Sequence, residues 1–320
     1  MLKKTQKVLV TGGAGFIGSH LIDNLIEEGH IVISVDDFNE YYDPDIKWRN
    51  ISAHCGNPKF NLIRCDICDR SRITQVFLDN QPDIIVHLAA RAGVRPSLTN
   101  PSLYTEVNVN GTLNILEAAA RIKVKKFIFG SSSSVYGVNK KVPYSENDAL
   151  LTPISPYAAT KIAGEALCHS FAHLHHINMI ALRFFTVYGP RQRPDLAIHK
   201  FANLIMASQR VPVYGDGSSQ RDYTYIGDIV KGIRLAMDYQ LPQYYEVFNI
   251  GNSQPVKLLD LISWLEEVIG IKVEVDYQPT QPGDVPITWA DTQKAERLLM
   301  YRPITPLKEG LVSFVNWLGK

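Results

Sequence analysis

The glycine-rich stretch from Gly12 to Gly18, read GGAGFIG, limits the fold more than any other part of this chain. The preceding residues 7–10 form a short apolar run that is typical of a buried strand. Residues 19–28 carry the apolar stripe of an amphipathic helix. Glycines between a strand and a helix let the backbone approach a pyrophosphate held at the helix N-terminus. The stretch therefore predicts a dinucleotide-binding unit.

A second strand-like run, residues 31–35, ends at an acidic residue, Asp36. A carboxylate at this position accepts hydrogen bonds from the adenosine ribose hydroxyls and repels a 2'-phosphate. The expected cofactor is therefore NAD rather than NADP.

Tyr157 and Lys161 stand four residues apart, so on a helix they share one face. An unperturbed tyrosine titrates near pH ~10, and a nearby cation favours its phenolate. We expect Lys161 to lower the pKa of Tyr157 and to make it a general base. Tyr-x-x-x-Lys is also common as an ordinary amphipathic pair, and it is the glycine-rich stretch that favours the catalytic interpretation.

Composition excludes several classes of partner. The chain has 320 residues and a formal net charge of +1, which predicts no nucleic-acid partner and no anionic membrane surface. No apolar run is long enough to span a membrane, and the first strand starts too early for a signal peptide, so a cytoplasmic location is expected. Cys65 and Cys68 form a lone C-x-x-C, which favours small buried thiols over a metal site.

Strand-like runs alternate with helical stretches along most of the chain, which predicts an α/β fold with a parallel sheet covered on both faces. Loops and prolines then become frequent, which predicts a smaller C-terminal substrate-binding subdomain. We expect residues 1–185 to form the dinucleotide-binding domain, residues 228–253 to return to it, and residues 186–320 to form mainly the subdomain. The predicted strands of the main sheet are residues 8–10, 32–35, 61–63, 84–86, 127–129, 179–182 and 245–250.

Six motifs follow one another in the order 11–20 (TGGAGFIGSH), 65–67 (CDI), 87–90 (HLAA), 108–112 (NVNGT), 131–137 (SSSSVYG) and 157–161 (YAATK). Through them the chain resembles the extended short-chain dehydrogenase/reductase family over essentially its whole length. Within that family it is most similar to the nucleotide-sugar 4-epimerases, and among these to those acting on UDP-glucuronate. The closer likeness is carried by residues 36–44, 92–95, 183–190, 193–195 and 281–285.

The resemblance implies a Rossmann-type doubly wound sheet and an NAD-dependent inversion of C4 in a UDP-sugar, by way of a transient 4-keto sugar. UDP-glucuronate and UDP-galacturonate are the expected pair, and UDP-glucose with UDP-galactose remains the alternative. Related dehydratases and decarboxylases carry acidic residues where this chain has Ser133 and Ser134. These lyase activities are therefore less favoured, as is a catalytically silent NAD-binding regulator.

The resemblance also implies the site residues. Tyr157, Lys161 and Ser132 are the expected catalytic residues. The expected NAD-binding residues are Gly12, Gly15, Phe16, Ile17, Gly18, Asp36, Asn39, Asp66, Ile67, Leu88, Ala89, Ala90 and Lys161. The expected residues for the UDP-sugar are Arg95, Ser132, Ser133, Ser134, Thr186, Arg193, Arg221 and Asp284.

Among the substrate residues, Arg193 with Thr186 is the leading pair for a uronate carboxylate, and Arg95 is either a second candidate or an ordinary loop cation. Arg221 is expected to bind the UDP diphosphate, because a guanidinium fork matches phosphate oxygens. Its alternative is a salt bridge to Asp222 or Asp216.

Two further expectations come from the resemblance. Arg91 stands where related sequences often carry Gln, and is expected near the sugar pocket. A homodimer is expected through helices near residues 103–121 and 155–175.

Overall fold

The computed structural model describes residues 5–150, 152–281 and 283–319. The strands are β1 Lys7–Thr11, β2 Ile31–Asp36, β3 Phe60–Arg64, β4 Ile84–His87, β5 Lys126–Ser132, β6 Asn178–Phe184, β7 Thr186–Tyr188, β8 Val211–Tyr214, β9 Gln220–Tyr225, β10 Tyr245–Ile250, β11 Pro255–Lys257 and β12 Val275–Gln278. The helices are α1 Phe16–Glu27, α2 Pro44–Ile51, α3 Arg70–Asn80, α4 Val94–Thr99, α5 Pro101–Thr105, α6 Thr112–Arg121, α7 Pro156–His175, α8 Ala197–Met206, α9 Ile226–Asp238, α10 Leu258–Ile269, α11 Gln293–Leu299 and α12 Leu307–Leu318. A π-helical segment, Glu106–Gly111, joins α5 to α6, and a short 3-10 helix, Ser133–Tyr136, follows β5.

Seven strands form the main sheet in the order β10-β6-β5-β4-β1-β2-β3, and every pair is parallel. The predicted doubly wound sheet is therefore confirmed, and each predicted strand lies within an observed one. The chain order reverses between β1 and β4, which is the switch point where such sheets bind ligands.

The main sheet is buried on both faces because its strands present apolar side chains in both directions. In β1, Val8 and Val10 pack on one face against α1 and α9, whereas Leu9 packs on the other against α3 and α6. The two apolar layers fix the register of every strand, since a shift by one residue would exchange the two faces.

The remaining strands form two small sheets, one of order β11-β9-β7 and the other pairing β12 with β8. A third apolar cluster joins them to three helices, with Phe201 of α8, Leu261 of α10 and Phe314 of α12 fully or nearly buried. Within the described ranges, none of the helices has the length and apolar character needed to cross a lipid bilayer.

Asp222 lies on β9 and links the three-stranded sheet to the main sheet by hydrogen bonds. Its carboxylate is fully buried and accepts hydrogen bonds from the backbone N–H groups of Asn252 (2.8 Å), Ser253 (2.9 Å) and Ala290 (3.0 Å). Asn252 and Ser253 directly follow β10 of the main sheet. Burial raises the pKa of Asp222 to about 6, and the N–H groups oppose this. A single carboxylate thus joins the two sheets next to β9.

The raised pKa of Asp222 predicts a dependence of stability on pH. Between the ordinary pKa of 3.8 and about 6, the folded chain keeps a proton that the unfolded chain has lost. The free energy of unfolding therefore falls as pH rises through this window, by about 3 kcal/mol from this group. We expect Asp222→Asn to lack that contribution, as measured by urea unfolding between about pH 4 and pH 7. A constant stability difference between the variant and the wild type across this range would contradict the raised pKa.

Candidate active site

A cleft lies at the carboxyl ends of the central strands, where open parallel sheets bind their ligands. Its wall runs from the turn after β1 to the first turns of α7. All of the residues predicted to bind the cofactor line it, namely Gly12, Gly15, Phe16, Ile17, Gly18, Asp36, Asn39, Asp66, Ile67, Leu88, Ala89, Ala90 and Lys161.

The glycine-rich turn leaves the N-terminus of α1 open. Gly12 has a φ of +68°, and a Cβ there would stand 2.8 Å from the nitrogen of Ala89. A Cβ on Gly18 would overlap the carbonyl oxygen of Gly12. Gly15 is the N-cap of α1, with no capping side chain and no acidic residue in the first turn. Unpaired N–H groups and the helix dipole at such an end favour an anion, so the turn fits a pyrophosphate.

Asp36 both lines the cleft and shapes it. Its carboxylate accepts hydrogen bonds from the backbone N–H groups of Ala14 (3.1 Å) and Phe38 (3.0 Å), and Lys47 Nζ lies 3.8 Å away. Burial raises the pKa of Asp36, and the charge of Lys47 opposes the rise. The same carboxylate therefore ties the glycine-rich turn to the loop after β2.

The cleft is also lined by residues that were not among the predicted site residues, including Tyr41, Tyr42, Lys47 and Arg91. Arg91 Nη1 donates to Asn39 Oδ1 at 2.6 Å, and Lys47 Nζ donates to the carbonyl of Asn39 at 3.0 Å. Arg91 therefore lies beside a predicted cofactor residue, not only near the expected sugar pocket. The sequence did contain a signal for Arg91, because Arg91 directly follows the Leu88–Ala90 motif.

The three predicted catalytic residues meet at the ends of β5 and α7. Ser155 caps α7 by accepting from the N–H of Ala158 at 3.1 Å, with Pro156 as the first helical residue. This start places Tyr157 in the first turn and Lys161 one turn later. Ser132 acts on the Tyr157 hydroxyl by hydrogen bonding that lowers the pKa of Tyr157, and Lys161 Nζ lies 5.9 Å from the Tyr157 ring centre.

The expected lowering of the Tyr157 pKa is wrong for this structure. Burial raises the pKa of Tyr157, and the hydrogen bond from Ser132 and the charge of Arg193 oppose the rise. The Lys161 amine donates to the carbonyl of Gly130 at 2.7 Å, and burial lowers the pKa of Lys161 to about 8. Sequence spacing alone gave no measure of this burial.

A buried polar network packs beneath the predicted catalytic residues. Glu165, one turn beyond Lys161, accepts from Arg183 Nε at 2.9 Å and from Arg183 Nη2 at 2.8 Å. Ser131 Oγ donates to Glu165 at 2.5 Å, and Arg183 Nη1 donates to the Tyr136 hydroxyl at 2.9 Å. The network joins α7, β5 and β6.

Among the residues predicted for the substrate, Arg193 lines the cleft. Its side chain is 16% exposed, and its guanidinium lies 5.3 Å from the centre of the Tyr41 ring. Arg193 Nε and Nη2 donate to the two carboxylate oxygens of Asp195 at 2.9 and 2.8 Å. Arg193 therefore stands between the loop after β2 and the loop that leads into α8.

The other predicted substrate residues lie outside the residues that line this cleft. Arg95 and Asp284 pair with each other at 2.8 Å, and Arg95 stacks over the Tyr214 ring. Ser133 and Ser134 are in the 3-10 helix after Ser132.

Thr186 and Arg221 belong to the small sheet. Thr186 opens β7 and pairs with Tyr223 of β9. Arg221 Nη1 donates to the carbonyl of Gln220, while Asp222 uses both of its oxygens on backbone N–H groups. The alternative salt bridge from Arg221 to Asp222 is therefore not formed.

Comparisons with known proteins agree over nearly the whole chain. A family model described as GDP-mannose 4,6 dehydratase matches residues 9–314. The UDP-glucuronate 4-epimerase of Thermodesulfobacterium geofontis is 39% identical, over 97% of this chain and 95% of the relative.

Two solved structures share the fold closely. The UDP-glucuronic acid 4-epimerase of Bacillus cereus, in complex with UDP-glucuronic acid and NAD, is 38% identical with a TM-score of 0.93, covering 98% of this chain and 99% of that one. The UDP-glucose 4-epimerase of Thermotoga maritima, with UDP-glucose, is 35% identical with a TM-score of 0.90, covering 98% of each chain.

Proposed function

The chain belongs to the GDP-mannose 4,6-dehydratase family, and from that premise we propose that it is an NAD-dependent 4-epimerase of UDP-sugars. The proposed reaction interconverts UDP-glucuronate and UDP-galacturonate through a transient 4-keto sugar. The observation that carries it is the placement of Tyr157, Ser132 and Lys161 beside the cleft that the glycine-rich turn lines. The relatives from T. geofontis and B. cereus, which are both UDP-glucuronate 4-epimerases, support it.

Epimerisation is favoured over the lyase chemistry of dehydratases because of where the carboxylates lie. Among the described residues that line the cleft, the acidic ones are Asp36 at the end of β2, Asp37 directly after it, and Asp66 in the segment after β3. Next to Ser132 the chain offers Ser133 and Ser134, which cannot handle a proton as a carboxylate does. The residues beside Tyr157 therefore suit a reaction that moves only the hydroxyl proton and the C4 hydrogen.

The residues around the cleft fit NAD. The N-terminus of α1 would hold the pyrophosphate, Asp36 would accept from the adenosine ribose, and Lys161 would face the same ligand as Tyr157. When bound, NAD supplies a reversible acceptor for the C4 hydride.

Tyr157 acts as the base toward the C4 hydroxyl. It must lose its proton against the effect of burial, which raises its pKa. Two neighbours assist: Ser132 by a hydrogen bond, and Arg193 by its positive charge. Arg193 therefore contributes to proton transfer as well as to the binding of an acidic sugar.

The substrate residues are assigned by charge. Arg193, with Thr186, receives the C6 carboxylate, and Arg221 receives the diphosphate. Arg95, which pairs with Asp284, is the second candidate for the carboxylate. UDP-glucose with UDP-galactose is the second candidate pair, and the T. maritima structure supports it.

Three expectations from the sequence stay proposals: the division into residues 1–185 with 228–253 and residues 186–320, the homodimer, and the cytoplasmic location. Limited proteolysis, light scattering and cell fractionation, respectively, test them. If light scattering shows a monomer at working concentration, the homodimer prediction is wrong.

The role of Tyr157 predicts a specific loss. Tyr157→Phe removes the proton acceptor and keeps the ring, so we expect near-normal folding and NAD binding with turnover lowered at least about a hundredfold. The measurement is C4 inversion of UDP-glucuronate followed by NMR. Tyr277→Phe, on a ring that is 57% exposed, is the matched control. Activity of Tyr157→Phe above a tenth of the wild type would remove Tyr157 from the mechanism.

The role of Arg193 separates the two substrate pairs. A charge-assisted hydrogen bond is worth about 1.5–3 kcal/mol, or about ten- to a hundredfold in selectivity. We expect Arg193→Ala to lower kcat/KM for UDP-glucuronate at least about tenfold more than for UDP-glucose. Arg210→Ala, at an exposed surface pair with Glu274, is the control. Equal losses of kcat/KM on both substrates would mean that Arg193 acts only through its effect on Tyr157.

A further inference from the structure

We propose that Asp195 is a specificity-determining positioning residue, which holds Arg193 so that one edge of its guanidinium stays available to an acidic sugar. The inference rests on the proposed function and extends it to a residue that does not line the cleft. Asp195 has no predicted role in catalysis or binding, and it acts through Arg193.

The first step is the geometry of the pair. A guanidinium has two edges that can bind a carboxylate in the bidentate manner, one with Nε and Nη2 and the other with Nη1 and Nη2. Asp195 takes the first edge with bonds of 2.9 and 2.8 Å. This bond leaves Nη1 and the second N–H of Nη2 for another acceptor. A second carboxylate can therefore bind without displacing Asp195.

The second step is where the pair lies. The Arg193 side chain lines the cleft, stacks over the Tyr41 ring, and acts electrostatically on Tyr157. Tyr41 is itself fixed, because its hydroxyl donates to the carbonyl of Ala92 at 3.0 Å. With Asp195 on one edge and Tyr41 against its face, the guanidinium has little freedom to rotate. The guanidinium is therefore preorganised in the cleft that Tyr157 also lines.

The third step is the charge balance. The charges of Arg193 and Asp195 would cancel if both side chains were equally buried. The Arg193 side chain is 16% exposed, however, and the Asp195 side chain is 39% exposed. Water screens the more exposed carboxylate more strongly. Arg193 therefore brings to the cleft a positive charge that Asp195 only partly neutralises. This charge attracts a uronate carboxylate.

The loop that carries the pair is held firmly on its N-terminal side. Gln192 donates from Nε2 to the carbonyl of Val187 at 3.0 Å, and from its backbone N–H to the carbonyl of Gly189 at 3.1 Å. The carbonyl of Gln192 is 2.6 Å from His199 Nδ1 of α8. The backbone of Arg193 is thus held by its neighbour Gln192, and Asp195 holds the guanidinium at the end of the Arg193 side chain.

The test compares Asp195→Asn with the wild type on UDP-glucuronate and UDP-glucose. Asparagine keeps the size of the side chain, but its amide offers one oxygen to Arg193 in place of two. We expect KM for UDP-glucuronate to rise about tenfold or more, kcat to change less than about threefold, and KM for UDP-glucose to change less than about threefold. Asp195→Glu should restore part of the uronate preference. Asp276→Asn, at an exposed carboxylate on β12, is the matched control.

Two outcomes would overturn the inference. A lower KM for UDP-glucuronate in Asp195→Asn would mean that Asp195 competes with the substrate for Arg193. Equal rises of KM on both sugars would mean a merely structural role. If Asp195→Asn does not fold, Asp195→Glu replaces it in the test. KM for UDP-glucuronate in Asp195→Glu must then rise relative to KM for UDP-glucose.

A double-mutant cycle adds a readout that does not depend on the size of either effect. In the Arg193→Ala background, Asp195→Asn should leave KM for UDP-glucuronate unchanged, because Asp195 acts through Arg193. An undiminished effect in that background would also overturn the inference. The proposed function fails separately, if the wild type does not invert C4 of UDP-glucuronate at all.

Discussion

The buried ion pair between Glu165 and Arg183 is the interaction on which the site depends. It joins α7, which carries Tyr157 and Lys161, to β6, and through Ser131 it also joins β5, which ends at Ser132. Two charges in an apolar interior are stable only when each is fully paired, so the pair holds these elements in one arrangement. The distances among the proposed catalytic residues are therefore a consequence of the packing beneath them. The charge of Glu165 also opposes the lowering of the Lys161 pKa that burial causes.

Much of the fold could be predicted because the signals are local. Strands buried on both faces are continuous apolar runs, and those runs stand out between helical stretches. The cofactor face of the cleft could be predicted for the same reason. Gly12, Asp36, Asp66 and Ala89 all lie in or directly beyond a strand, and the carboxyl ends of parallel strands meet at one edge. Once the strand order is known, these residues have to lie together.

The substrate side was harder to predict, because its residues meet through loops that are far apart in the sequence. Arg95 pairs with Asp284, and Arg193 lies against Tyr41. No periodicity links such positions. The pKa of Tyr157 could not be read from the Tyr-x-x-x-Lys spacing either, because burial raises it while Ser132 and Arg193 oppose the rise. Resemblance named Arg193, but its bidentate pairing with Asp195 became visible only in the structure.

The most direct test of the central claim is to follow UDP-glucuronate deuterated at C4 through the wild-type enzyme by NMR. If the C4 hydrogen leaves and returns within one closed site, UDP-galacturonate should appear with the deuterium still at C4. The C6 carboxylate should also be intact. Loss of the deuterium to water, release of carbon dioxide, or an unchanged substrate would contradict the proposed 4-epimerisation.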